Sequence, residues 1–90
     1  MKFMITWKVP SANYKDAVAR FLKTGGSLPA GLKMIGRWHT ADGRGFLLVE
    51  GTETALAENT VQWADLLEIE AAPVLDDAEA GAVLSKAFGK

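Results

Sequence analysis

The sequence predicts one small α+β domain: a four-stranded antiparallel sheet with two helices in βαββαβ order and a further helix at the C-terminus. Three observations lead there. Apolar and polar residues alternate along Phe3, Ile5, Trp7 and Val9 and again along Leu67, Ile69 and Ala71, the period of a strand with one wet face. Stretches with apolar residues at helical spacing follow the first strand pattern and precede the last. Asp42-Gly43 stands between two short apolar runs, the strongest short-range sign of a hairpin.

The chain has 90 residues, which make one domain, residues 1–90. At this size roughly 60–65% of the unfolded surface is buried on folding, so the core is thin. An apolar content of 49% supplies that core, argues against disorder and leaves apolar surface over for a partner. The net charge is −1 and Lys and Arg never cluster, so the expected partners include neither nucleic acid nor a membrane surface. With no cysteine, disulfides, thiolate metal sites and thiol nucleophiles are excluded. The opening residues are too polar for a signal peptide, and no apolar run approaches the length of a membrane span. The expected location is cytoplasmic.

Residues 2–9 form the first strand, with Phe3, Ile5, Trp7 and Val9 on one side and Lys2, Met4, Thr6 and Lys8 on the other. Pro10 and Ser11 stop it. Residues 12–24 are a helix whose stripe is Tyr14, Ala17, Val18, Phe21 and Leu22. Ser11 or Asn13 is placed to cap it, Asp16 lies near the positive end of its dipole, and Gly25-Gly26 ends it in a left-handed C-cap. Residues 32–40 and 46–51 are the second and third strands. With Asp42 and Gly43 as a two-residue turn, Ala41 pairs with Arg44, Trp38 with Leu47 and Arg37 with Leu48. Ile35, Arg37 and His39 then share a face with Phe46, Leu48 and Glu50. A turn one residue longer exchanges the faces.

Residues 53–65 are the second helix, with Thr52 as its cap and Leu56, Thr60, Trp63, Ala64 and Leu67 as its stripe. Residues 67–74 alternate Leu67, Ile69 and Ala71 against Glu68 and Glu70, and Pro73 suits an edge strand or a strand end. Asp76 with Glu79 is a capping box. It opens a third helix with Ala80, Val83, Leu84, Ala87 and Phe88 on its apolar side. Right-handed crossovers fold this order into a ferredoxin-like sheet with both earlier helices on one face. The other face carries Met4, Ile35, Phe46 and Leu48, so either the last helix or a second subunit is expected to cover it.

From Leu28 to Leu75 the chain resembles a small bacterial family of unknown function. The matching residues are Leu28-Pro29, Gly31-Leu32, Trp38, Ala41-Asp42-Gly43-Arg44, Phe46, Leu48, Glu50, Trp63, Asp65-Leu66, Glu70 and Pro73-Val74-Leu75. That family is grouped with the dimeric α+β barrels, alongside muconolactone-isomerase-like and antibiotic-biosynthesis-monooxygenase-like proteins. The resemblance implies a ferredoxin-like fold and a homodimer with two sheets face to face. It implies no activity.

The candidate ligand-binding residues are Arg37, His39, Glu50, Phe46 and Leu48. His39 is the single histidine, and an exposed place near the hairpin tip competes with any role as base. Glu50 is a carboxylate in an apolar strand; inside a barrel its pKa would rise, whereas a salt bridge to Arg37 or Lys33 would make it structural. Glu68 and Glu70 read as the wet side of an amphipathic strand, with Lys2 and Lys8 as neutralising neighbours. Trp7, Trp38 and Trp63 fall on apolar sides and read as core. Gly25-Gly26-Ser27 ends a helix instead of starting one, so it is no phosphate loop. One His and no Cys give no metal-ligand spacing, and the sequence points to no cofactor.

Three readings of function follow. The first is a homodimeric α+β barrel protein binding a small apolar or aromatic molecule. The second is a cofactor-free isomerase or monooxygenase-like enzyme, with Arg37, His39 and Glu50 around a pocket between the sheet and the C-terminal helix; it rests on analogy of fold. The third is a protein-interaction module whose open sheet face meets another protein.

Overall fold

The strand that the N-terminal alternation picks out, β1 (Lys2–Lys8), lies inside the sheet, and its Phe3 and Ile5 are each only 2% exposed. The computed structural model describes residues 1–89. After β1 come a 3-10 turn (Ser11–Asn13), α1 (Tyr14–Thr24), β2 (Leu32–His39), β3 (Arg44–Gly51), α2 (Glu53–Trp63), β4 (Glu68–Val74) and α3 (Asp77–Phe88). The strands form one antiparallel sheet in the order β2-β3-β1-β4. This is the ferredoxin-like α+β arrangement, with α3 appended. Pro73 sits on the edge strand β4, paired with Phe3, where its missing N–H costs no ladder bond on the outer side.

The core lies between the sheet and the helices: Phe3, Ile5, Leu32, Leu47 and Val49 pack with Ala55 of α2. α2 starts at Thr52, whose side chain accepts from the Ala55 N–H, and α3 starts with the Asp76–Glu79 capping box. α1 differs from expectation at its start. Neither Ser11 nor Asn13 caps it; Asn13 instead donates through Nδ2 to the Leu66 carbonyl at 3.1 Å, tying α1 to the segment after α2. Its end is the expected left-handed cap, with Gly25 at φ 68° and Gly26 at φ 61°.

The hairpin register is one residue away from the expected one. Thr40, not Ala41, pairs with Arg44, its N–H donating to the Arg44 carbonyl at 2.8 Å. The loop is therefore Ala41-Asp42-Gly43, with Gly43 at φ 85°, a turn closed by a left-handed glycine. Asp42 holds it shut by accepting from the Thr40 hydroxyl and from Arg44 Nε. Trp38 consequently pairs with Phe46, Arg37 with Leu47 and His39 with Gly45. A bulge between Met34 and Gly36 absorbs Ile35, so that Leu32 and Arg37 can both turn toward the helices despite their odd spacing.

Neither α1 nor α2 covers the second sheet face, and α3 does not either. From Ala82 to Phe88 every residue of α3 is exposed, and its first turn is tied to β1 by Lys2, which reaches Asp76 and Glu79 at 3.3 Å each. The chain measures 55 × 27 × 18 Å with a radius of gyration of 15.5 Å, against about 12 Å for an ordinary domain of this length. α3 is an arm. Among the described residues no helix is long and apolar enough to cross a membrane.

Candidate functional site

The space between α1, α2 and the sheet is not filled. It holds a cavity of about 290 Å³. Ile5 and Leu47 form its floor at 2% and 4% exposure. Trp7, Phe21, His39 and Trp63 form its walls, and the half-exposed Tyr14 stands at its mouth.

A glycine makes the floor possible. Gly45 on β3 pairs with Trp7 on one side and with His39 on the other. It has no side chain, so the Trp7 indole lies over it; a Cβ at Gly45 would overlap that ring. His39 meets Trp7 edge to face at 5.5 Å and Phe21 likewise at 5.3 Å, the geometry aromatic rings prefer.

Two arginines hold the walls in place. Arg37 reaches back to the end of α1 and donates to the carbonyls of Gly26 at 2.7 Å and Gly25 at 3.1 Å. These are orphan carbonyls at the negative end of the helix dipole, where a cation is favoured. Its guanidinium also lies 5.1 Å over the Phe21 ring. Burial lowers its pKa below the usual arginine range. Arg20 of α1 grips Asp65 with two bonds of 2.8 Å and the Gln62 carbonyl at 2.9 Å, and backs Trp63 at 5.5 Å. Hydrogen bonding to Asp65 raises the Arg20 pKa, and the same bond lowers that of Asp65.

The cavity contains one buried polar side chain that sequence reasoning passed over. Asn59 is 6% exposed, lines the cavity, and makes no side-chain hydrogen bond among the described residues. The signal was available: Asn59 sits four residues after Ala55 and four before Trp63, so a helix that buries those two buries the residue between them.

The expected site residues divide between two faces. Arg37 and His39 lie in the cavity. Phe46, Leu48 and Glu50 lie on the opposite face, because the longer turn moves β2 by one residue against β3 and a side chain changes face with each residue. Arg37 and His39 therefore do not share a face with Glu50, and α3, exposed from Ala82 to Phe88, does not cover the sheet with which a pocket was expected. Glu50 is exposed, stands across from Lys2 and Lys33, and makes no ion pair among the described residues. Trp38 is not core: it shares the open face with Phe46 and is 55% exposed, its indole folded back over Gly36. Glu68 and Glu70 are exposed on that face as well, with Glu68 across from Lys8.

A family model described as a domain of unknown function (DUF3303) matches residues 1–88. No curated protein and no solved structure matches the chain.

Proposed function

We propose that this chain, which belongs to the DUF3303 family, binds a small apolar aromatic molecule in the cavity between sheet and helices. The observation that supports this is an unfilled space of about 290 Å³ walled by Trp7, Phe21 and Trp63. Apolar walls such as these gain stability when an apolar ligand removes them from water. An engineered cavity of about 150 Å³ takes up benzene, so nearly twice that volume suits two fused rings. Tyr14 is 47% and Val18 39% exposed, which makes the flank of α1 the way in. The test uses saturation-transfer NMR with naphthalene and indole as probes. Both are expected to bind. Ala17→Phe, which places a ring in the cavity from α1, is expected to abolish binding and raise the melting temperature. Folded wild-type protein that takes up neither probe would overturn the reading.

A second reading concerns the open sheet face, and one observation favours it. The same chain leaves two apolar surfaces bare: Trp38 and Phe46 on the sheet, at 55% and 43% exposure, and Val83, Leu84 and Phe88 on α3, at 58%, 56% and 82%. A second copy supplies each surface with the other. In this homodimer the sheets meet face to face, and the arm of each protomer lies along its partner.

A further inference from the structure

We infer that Asn59 is the polar anchor of the bound molecule, so that the ligand is a planar aromatic carrying a neutral amide-like group, a carboxamide or lactam. The inference rests on the cavity reading above and specifies its chemistry.

Asn59 is the single buried polar residue among the described residues. An asparagine in mid-helix is a poor helix former. Its amide makes no side-chain hydrogen bond among the described residues, and none of their side-chain N or O atoms is both fully buried and unpartnered, so the Asn59 amide is open to the cavity it lines. The other polar side chains around the cavity are all less buried than Asn59. The Arg37 guanidinium gives two of its five N–H groups to the carbonyls of Gly25 and Gly26, and the Thr40 hydroxyl bonds Asp42 and Arg44. Asn59 alone combines burial, a place on the cavity wall and an open hydrogen-bonding valence.

The chemistry of that valence selects the ligand. A primary amide presents an acceptor oxygen and a donor nitrogen side by side. Its natural complement is another amide, whose N–H donates to Asn59 Oδ1 while its carbonyl accepts from Asn59 Nδ2. An ionised carboxylate offers acceptors only, so it can pair with Asn59 Nδ2 but leaves Asn59 Oδ1 without a donor. A pure hydrocarbon leaves the Asn59 amide unpaired.

Three probes of similar shape separate these cases: 2-naphthamide, 2-naphthoate and 2-isopropylnaphthalene, each titrated into the intact chain by calorimetry. The amide is expected to bind about tenfold tighter than either of the others, and to shift the Asn59 side-chain amide resonances in a ¹H–¹⁵N spectrum. Asn59→Leu is expected to lose the preference for the amide while still binding 2-isopropylnaphthalene. If 2-isopropylnaphthalene or 2-naphthoate binds wild type as tightly as 2-naphthamide, Asn59 is not the anchor, though the cavity remains a binding site. If no probe binds folded wild type, both the anchor and the cavity reading fall. The comparison within wild type decides the matter without depending on how well the variant folds.

Discussion

Trp7 and His39 belong to strands that never touch, yet their rings meet edge to face at 5.5 Å. β3 runs between those strands, and the residue it places between the two rings is Gly45. Strands lie about 4.8 Å apart, so a side chain at Gly45 would ordinarily separate them. Its absence brings an indole and an imidazole together in the cavity wall.

Gly45→Val follows directly from this. The new side chain displaces the Trp7 indole, and overpacking of this kind costs about 1–3 kcal/mol. Urea denaturation is expected to show that loss, and the near-ultraviolet circular dichroism of tryptophan is expected to change with it. A variant as stable as wild type with an unchanged spectrum would mean that Trp7 does not rest on Gly45.

Asn59→Leu is expected to stabilise the unliganded protein, by about 0.5 kcal/mol. Leucine is the better helix former and replaces an amide that faces the cavity. The check is the urea midpoint at constant slope. A destabilised variant would show that the amide is satisfied within the fold, for instance by an ordered water, and would weaken its case as a ligand anchor.

Acid should destabilise the chain in a window set by three aspartates. Asp65 is held below the ordinary carboxylate range by the Arg20 hydrogen bond, Asp76 by the Glu79 backbone N–H and then Lys2, and Asp42 by the Thr40 hydroxyl and then Arg44. A carboxyl whose folded pKa lies below its unfolded value of about 3.9 stabilises fully above that value and loses the contribution as pH falls through the folded pKa. Stability is therefore expected to drop below about pH 4. These groups are exposed, so salt should shrink the effect. Asp65→Asn is expected to flatten part of the drop. Thermal melts of both proteins at neutral and acid pH decide it, and parallel losses would remove Asp65 from the account.

The proposed homodimer predicts a solution mass twice that of the chain, measured by light scattering across a dilution series. Phe46→Asp puts a charge on the open face, where Phe46 is 43% exposed, and is expected to yield a folded monomer. Removing α3 after Leu75 is expected to weaken association in the same direction. A wild-type monomer at every concentration would turn attention to a different protein as the partner of that face.

Much of the fold was legible because it is local. The alternation of Phe3 and Ile5 against Lys2 and Met4 specifies a half-buried strand, and Gly25 and the Asp76–Glu79 box mark helix ends through contacts a few residues apart. Each of these depends on neighbours along the chain. The chain by itself therefore determined the order of the elements and the wet and dry sides of β1 and β4.

The site was decided by tertiary structure, at two places where a single residue changes everything. One is the third loop residue before Arg44, with the bulge at Ile35; together they send Arg37 and His39 to the helices and leave Phe46, Leu48 and Glu50 on the other face. The period of a strand is two, so an error of one residue in the turn inverts every side chain on it, and Asp42-Gly43 is compatible with either turn. The other is Asn59. Its place on the helix is written in the spacing from Ala55 to Trp63, but only the packing of α1 and α2 over the sheet leaves a cavity in front of it. Local sequence can place a polar group on a buried stripe; whether a partner awaits it depends on chain segments far away in sequence.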